Sequence, residues 1–177
     1  ARIETEELVT GFVTDRFRRA IDDLLALEGG YVDHGADKGG KTNFGISQRS
    51  YPTLNIARLT RDEAIQIYHR DYWCKLKCDD IRPERVASAL FDMGVNAGLK
   101  TAVKLLQRAV NAIGKPLSVD GAIGQATLAL VNSLPPDALL EAFRRECMHH
   151  YAAIIDRDPT QKVFWNGWRN RIYREHP

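Results

Sequence analysis

The sequence predicts a mainly α-helical protein that folds as one domain over residues 1–177. Apolar residues recur at the three- and four-residue spacing of helices along most of the chain. The one glycine-rich polar stretch, residues 29–45, follows the first predicted helix and has room only for a small irregular loop or hairpin. No internal repeat, low-complexity tract or linker divides the sequence, so a single helical core is expected.

The first predicted helix runs from Phe17 to Leu27, with Thr14 or Asp15 as its N-terminal cap. It leads directly into Glu28. Gly29-Gly30 is expected to end this helix, because glycine readily adopts the left-handed conformation common at helix C-termini.

The stretch after this helix is predicted to be a loop or short irregular hairpin. Phe44 and Ile46 indicate a short strand within it, and no large sheet is expected. Residues 1–14, which are polar and of mixed charge, are expected to form a flexible N-terminal segment.

The remainder of the chain is predicted to be helical. Thr60-Arg61-Asp62-Glu63 has the pattern of a capping box and predicts a helix from about Thr60 to Lys75. Pro83, placed in the first turn, opens a largely apolar helix, and a further helix follows Gly98 and ends at Gly114. The last three predicted helices are Gln125–Asn132, Pro136–Ile155 and about Gln161–Tyr173.

Composition excludes several classes of protein. A hydrophobic content of 44% and a charged content of 27% are those of an ordinary globular protein. The net charge of +2 comes from scattered charges without a basic block, so no nucleic-acid partner is expected. The chain has no apolar run long enough for a transmembrane helix and no signal peptide, and any export is expected to depend on something outside this sequence.

The cysteines predict neither a disulfide framework nor a metal centre. There are three, Cys74, Cys78 and Cys147, and an odd number does not form the paired framework of a small secreted domain. They are expected to be buried free thiols. Cys74 and Cys78 lie four residues apart without a second pair or a histidine cluster, so no metal is expected, and no cofactor.

Glu28 is the strongest candidate for catalysis. Its position at the end of an amphipathic helix, before a polar glycine-rich stretch, predicts a carboxyl group at the edge of a cleft. The apolar face of the helix and the partial negative charge of its C-terminus both favour the protonated form, which general-acid cleavage of a glycoside needs. The alternative is a glutamate that caps or bridges a solvated helix end.

A set of short motifs runs through the chain in order: Glu28-Gly29-Gly30-Tyr31, Asp37, Gly39-Gly40, Thr42, Gly45-Ile46-Ser47, Arg70-Asp71-Tyr72-Trp73, Phe91-Asp92, Val95-Asn96-Ala97-Gly98 and Val119-Asp120-Gly121-Ala122-Ile123-Gly124. Together they resemble the pattern of the family 108 glycosyl hydrolases, which are bacterial and bacteriophage N-acetylmuramidases. The resemblance covers roughly residues 15 to 173 and implies a lysozyme-like helical fold. It places the family's catalytic glutamate on Glu28.

The resemblance also implies roles for Asp37 and Thr42. They stand where the wider lysozyme superfamily places polar residues that hold water or stabilise charge on the far side of the sugar ring, where the transition state is oxocarbenium-like. The alternative for Asp37 is a side chain that caps a glycine turn. Asp33 is a rival second carboxylate, and His34 is a weaker candidate for substrate contact.

Three further residues are candidates for binding sugar. Tyr31 and Trp73 offer aromatic faces that stack on pyranose rings, and the Asn96 amide suits an acetamido group. For both aromatic residues a place in the core is an equally good interpretation. For Asn96 the alternative is a buried amide with its hydrogen bonds satisfied.

Residues 99–177 are expected to form a helical part that contains a turn like those of peptidoglycan-binding modules, at residues 119–124. The role of this turn is mainly structural. Gln125 replaces the proline usual after it, and Lys38 replaces a proline often found before Gly39-Gly40, and neither departure touches the acid.

The C-terminal run from Phe164 to Arg171 is aromatic and basic and also matches the family. Its tryptophans are expected to pack against the helical core. Arg169 and Arg171 are expected to face either the cleft or the solvent.

The resemblance implies a peptidoglycan hydrolase that cleaves between N-acetylmuramic acid and N-acetylglucosamine, with Glu28 as acid and water as acceptor. Its expected partner is the glycan strand at the bacterial cell wall or periplasm, and its expected state is a monomer. Two alternatives stay open: a chitinase-like hydrolase, and a catalytically silent protein that binds peptidoglycan or assists secretion.

Overall fold

The computed structural model describes residues 13–33, 40–114 and 116–177, so residues 1–12 of the predicted N-terminal segment lie outside it. The protein is mainly α-helical with one small sheet, which confirms the predicted fold class. In the described residues no helix has the length and apolar character needed to cross a membrane. The α-helices are α1 (Asp15–Leu27), α2 (Arg61–Tyr68), α3 (Glu84–Ala97), α4 (Leu99–Ile113), α5 (Gln125–Ser133), α6 (Pro136–Arg157) and α7 (Trp165–Tyr173).

The chain divides into two compact units, Ala1–Asp71 and Tyr72–Pro177. The expected organisation as a single domain stays a prediction. Shorter helical segments are the 3-10 turns Ile56–Arg58, Cys78–Asp80 and Pro159–Phe164 and the π-helical segment His69–Trp73.

Helix α1 has the predicted Thr14 cap and ends at Leu27 as predicted, and it begins at Asp15, two residues before the predicted Phe17. The Thr14 hydroxyl caps it by accepting a hydrogen bond from the Phe17 amide at 3.3 Å. The helix ends because Glu28 takes an extended backbone conformation, with φ −78° and ψ 128°. Neither Gly29 nor Gly30 has a positive φ, so the expectation that a left-handed glycine ends the helix was wrong. The buried face of α1 consists of Phe17, Ala20, Ile21 and Leu24.

The expected hairpin is a three-stranded antiparallel sheet of β1 (Val32–Asp33), β2 (Lys41–Asn43) and β3 (Ile46–Ser47), in that order. Phe44 was expected in a strand, and it lies instead in the two-residue turn between β2 and β3. Phe44 and Gly45 both have left-handed backbones, with φ 52° and 76°, which is the geometry of a type I′ hairpin turn.

Helix α2 has the predicted capping box. The Thr60 hydroxyl accepts from the Glu63 amide at 3.2 Å, and the Glu63 carboxylate accepts from the Thr60 amide at 2.8 Å. The predicted end near Lys75 was wrong, because α2 ends at Tyr68 and the backbone widens into the π-helical segment. The apolar spacing continues through that segment, so it does not reveal the change.

In the second unit, α4 packs against α3 and α6. Trp73 is fully buried and meets Phe91 of α3 edge to face, with ring centroids 5.4 Å apart. Pro83, expected in the first turn of α3, is the residue before it. The predicted C-terminal helix from Gln161 begins as a 3-10 turn, and α7 starts at Trp165.

The thiols differ in exposure. Cys78 and Cys147 are buried as expected, whereas Cys74 is exposed, which corrects the prediction for that residue. Burial raises the pKa of the Cys147 thiol, so it is an unreactive core group. No group of potential metal ligands occurs among the described residues.

The turn at residues 119–124 is held by Gln107, which is 1% exposed. Its amide nitrogen donates to the Asp120 carboxylate, the Ala122 carbonyl and the Thr127 hydroxyl, and its oxygen accepts from the Gly121 amide. The hydrogen bond from the Ala122 amide, and then the one from Gln107, keep the pKa of Asp120 below its usual value. The turn is therefore a satisfied polar network around a buried amide.

A buried ion pair anchors α7 to α3. Asp92, 5% exposed, accepts from Arg171 at 3.0 Å and from Arg174 at 3.1 Å. Arg171 therefore faces neither a cleft nor the solvent, which corrects its prediction. Trp168 packs as expected, stacked on Tyr151 with centroids 4.4 Å apart.

His176 makes the stability of the fold depend on pH. It is 6% exposed, and burial is the main cause that lowers its pKa to about 4; the charges of Arg174, Arg144 and Arg171 lower it further and Asp92 opposes them. Since the unfolded side chain titrates near 6.5, the stabilisation is complete above that pH and is lost as pH falls toward 4. We expect a loss of about 3 kcal/mol over this window, measured by urea unfolding.

The control for this prediction is His149, whose side chain is 75% exposed. His176→Asn should flatten the dependence of unfolding free energy on pH between 6.5 and 4, whereas His149→Asn should leave it intact. An equal slope in wild type and His176→Asn would contradict the prediction.

Candidate active site

Glu28 is the first residue after α1, in the short segment that connects this helix to β1. It is half-buried, and its amide still donates to the Leu24 carbonyl at 3.1 Å as the final hydrogen bond of the helix. Its extended backbone turns the chain out of the helix toward β1. The carboxyl group is thus fixed at a helix end while part of it stays accessible.

The turn between β2 and β3 lies directly against Glu28. A Cβ placed on Gly45 would be 2.7 Å from Glu28 Oε2 and 2.7 Å from Tyr68 Oη. Real Cβ atoms do not approach other atoms so closely, and the left-handed backbone also favours glycine here. Gly45 therefore allows the turn to reach both side chains.

Tyr68 holds this turn in place from α2. Its ring is 1% exposed, and its hydroxyl donates to the Phe44 carbonyl at 2.8 Å. The left-handed backbone of Phe44 is unusual for a residue with a side chain and is unfavourable by about 1–2 kcal/mol. The hydrogen bond from Tyr68 offsets part of that strain.

Asn43 anchors the other side of the turn. It is 7% exposed, and its amide nitrogen donates to the carbonyls of Ile56 and Leu59 at 3.1 and 3.3 Å. Ile46, across the strand pair from Asn43, is 3% exposed. The turn that contacts Glu28 is thus held by Asn43 on one side and by the hydrogen bond from Tyr68 on the other.

Exposed apolar side chains surround Glu28 in the sequence. Leu27, Tyr31 and Val32 are 49%, 45% and 37% exposed. Single exposed apolar residues are ordinary, but three within five residues of a half-buried carboxyl group indicate a surface for a partner. Tyr31 therefore has the exposure that its predicted role requires.

The polar candidates of this unit are placed as follows. Thr42 is the middle residue of β2, half-buried, paired with Val32 on one side and Ser47 on the other. Asp33 is exposed in β1, directly across from Lys41, so its charge has an opposite neighbour. Asp37 and His34 lie outside the described residues, so their roles stay predictions.

Trp73 and Asn96 belong to the second unit. Trp73 is 0% exposed, which favours its interpretation as a core residue over sugar binding. Asn96 is exposed, and its amide nitrogen donates to the hydroxyl of Tyr151, the residue on which Trp168 stacks. The Asn96 amide therefore has a structural partner in its own unit.

The sequence did not identify Gly45, Tyr68 and Asn43 as parts of this site. Gly45 occurs in a motif without an assigned role, and Tyr68 and Asn43 were given no role in the site. The first unit also has a groove of about 470 Å³ lined by residues between Tyr51 and Arg70, and none of the predicted site residues lines it. The region around the Glu28 carboxyl group and Gly45 is therefore the better candidate for the active site.

Comparison with known proteins divides the chain in two. Residues 21–98 match the family model described as Glycosyl hydrolase 108, and residues 101–173 match the one described as Predicted Peptidoglycan domain. The chain is also similar to a solved structure entitled "Structure of Brucella abortus SagA", with 32% identity, 88% of each chain covered and a TM-score of 0.74. No curated protein matches it.

Gly45→Ala is expected to destabilise the fold more than Gly40→Ala. Both positions have positive φ, 76° and 65°, but at Gly40 no described atom lies within 4 Å of an added Cβ. Gly40→Ala should therefore lower the free energy of unfolding by about 1–2 kcal/mol through strain alone. Gly45→Ala should add about 1–3 kcal/mol from the overlap with Glu28 and Tyr68.

Urea unfolding of both variants measures the difference, and a double-mutant cycle assigns it. In a Glu28→Ala background the additional loss at Gly45→Ala should shrink, because one of the two overlapping groups is gone. Equal losses of unfolding free energy in the two glycine variants would show that a Cβ at residue 45 does not overlap with Glu28.

Proposed function

The chain belongs to the glycosyl hydrolase 108 family, and we propose that it cleaves the bond between N-acetylmuramic acid and N-acetylglucosamine with Glu28 as general acid. Its matched regions make it a glycoside hydrolase that acts on peptidoglycan, and hence at the cell wall. The proposal concerns the bond cleaved and the residues that cleave it.

The observation that carries this proposal is the packing of the Gly45 turn against the Glu28 carboxyl group. A general acid must hold its proton at a fixed point beside the leaving oxygen, and small displacements reduce the rate steeply. Glu28 is fixed by the end of α1 and by the turn, and the turn is fixed by Tyr68 and Asn43.

The proposed reaction begins with transfer of the Glu28 proton to the bridging oxygen as the bond to the anomeric carbon breaks. The sugar passes through an oxocarbenium-like state, and water supplies the hydroxyl of the new reducing end while a carboxylate of the site takes up its other proton. A carboxylate on the far side of the ring stabilises the positive charge, and we assign this role to Asp37 with Thr42 beside the water. The exposed Tyr31 ring supplies a stacking surface for sugar.

Glu28→Gln is expected to keep the fold and to lower the release of reducing ends from purified peptidoglycan on the order of 10³-fold, because an amide has no proton to give. Mass spectrometry of the wild-type products should find muramic acid at the new reducing ends. The matched control is Glu141→Gln, an exposed glutamate of α6, which should cleave as the wild type does.

Each contrary result has a definite meaning. Normal cleavage by a folded Glu28→Gln variant removes Glu28 from the mechanism. Turnover of soluble chitin oligomers without action on cell walls favours a chitinase-like enzyme. Sedimentation of the wild type with peptidoglycan but no reducing ends favours the catalytically silent protein.

The two candidate second carboxylates are distinguished by a separate comparison. Asp37→Asn should lower kcat on the order of 10²-fold, with little change in KM, because its charge acts on the transition state. Asp33→Asn should change kcat little, since this exposed side chain faces Lys41 across the strands. The reverse ranking of the two variants would transfer the role to Asp33.

A further inference from the structure

The second unit has a groove of about 750 Å³ that none of the assigned roles explains. Met148 of α6 lines it, with Trp165, Arg169, Asn170 and Tyr173 of α7. We call it the α7 groove. All five residues fall within the region that matches the peptidoglycan domain.

The packing of α7 leaves these residues on its open side. The other side of the helix is fixed within the unit: Trp168 stacks on Tyr151, Arg171 binds Asp92, and Ile172 is 8% exposed. These contacts set the rotation of the helix. Of the groove residues, Tyr173 also contacts α6, where the Arg144 guanidinium lies 5.6 Å from its ring centroid, whereas Trp165, Arg169 and Asn170 take no part in these contacts.

Trp165, Arg169 and Tyr173 follow each other at four-residue intervals, so they form a row along one side of α7. Tyr173 is 40% exposed, and Trp165 is half-buried. Arg169 is exposed and forms no ion pair with any residue the structure describes. A solvated helix surface does not need large aromatic rings, so this row indicates a ligand.

Two further apolar side chains are exposed just before α7. Phe164 and Val163 are 52% and 79% exposed, although the Phe164 ring also meets Trp168, with centroids 5.7 Å apart. With Tyr173 they account for half of the large apolar side chains that are exposed in the described part of the chain, the others being those close to Glu28 in the sequence. Exposed apolar residues grouped in this way mark binding sites more often than single ones do.

The chemistry of the row suits an acidic glycopeptide. Aromatic faces stack on the C–H faces of pyranose rings, and the guanidinium fork matches a carboxylate with two parallel hydrogen bonds. The Asn170 amide can both donate to and accept from an acetamido group. From Trp165 to Tyr173 the helix rises about 12 Å, which is comparable with the length of a disaccharide.

We propose that the α7 groove binds one disaccharide–peptide unit of peptidoglycan, with Trp165 and Tyr173 stacked on its sugars and Arg169 paired with a carboxylate of its peptide stem. The inference rests on the proposed function for the identity of the polymer. It assigns to the second unit a substrate contact that does not involve Glu28.

The test is the affinity of the full chain for the soluble disaccharide–tetrapeptide N-acetylglucosaminyl-N-acetylmuramyl peptide, measured by calorimetry or NMR titration. The glycosidic bond of this ligand starts from the anomeric carbon of N-acetylglucosamine, whereas the proposed reaction cleaves the bond that starts from the anomeric carbon of N-acetylmuramic acid. The ligand is therefore not a substrate, and its binding is measured separately from turnover. Trp165→Ala and Arg169→Ala should each weaken binding at least about ten-fold, the size expected when a charge-assisted contact is lost. Arg108→Ala, at an exposed arginine of α4 outside the groove, should bind as the wild type does.

A second ligand separates the two kinds of contact. For a disaccharide of two N-acetylglucosamine units, which has no carboxylate, Trp165→Ala should still weaken binding, and Arg169→Ala should have no effect. Trp165→Phe keeps an aromatic face and should retain most of the affinity, which excludes a general loss of folding as the cause.

Equal affinity in the wild type, Trp165→Ala and Arg169→Ala, or no binding by the wild type, would overturn the proposal. A wild-type dimer that Trp165→Ala dissociates, with glycopeptide binding unchanged, would identify the groove as a contact between two copies of the chain and would also overturn it. Release of reducing ends by the wild type and by Glu28→Gln, measured in parallel, tests the proposed function without the groove variants.

Discussion

The missing side chain at Gly45 is the constraint on which the candidate active site depends. A methyl group there would overlap both the Glu28 carboxyl group and the Tyr68 hydroxyl. Because glycine occupies the position, the end of α1, the β2–β3 turn and α2 meet at one point. The acid, the turn and the tyrosine that holds the turn are therefore one structural unit.

The turn itself is not built for the greatest stability. Type I′ turns favour asparagine or glycine at the position occupied by Phe44, because both tolerate a left-handed backbone. Phe44 keeps this conformation because Tyr68 binds its carbonyl and Asn43, just before it, is bonded to Ile56 and Leu59. Local strain that surrounding contacts enforce is common at functional sites, where it fixes groups in advance of the reaction.

The sequence predicted those features that have a local physical cause. The Thr14 cap, the capping box of Thr60 and Glu63 and the apolar faces of the helices follow from hydrogen bonding and spacing over a few residues. The extended conformation of Glu28 that ends α1 and the π-helical turn after Tyr68 did not follow, because several backbone conformations satisfy the same spacing. The approach of Gly45 to Glu28 joins residues far apart in the chain, and a motif alone does not show which of its glycines is in contact.

The same reasoning explains why α7 has two sides of different character. Its inner residues were expected to pack, and Trp168 does, whereas Arg171 is held by a buried carboxylate that sequence spacing did not pair with it. Its open side has the rings of Trp165 and Tyr173 and the exposed Arg169, and of these Tyr173 also contacts Arg144 of α6. Under the proposed function, contacts of this kind bind substrate and transition state equally, so they increase capture of an insoluble polymer without accelerating the bond-breaking step. Separate residues for capture and for chemistry let each be adjusted without disturbing the other.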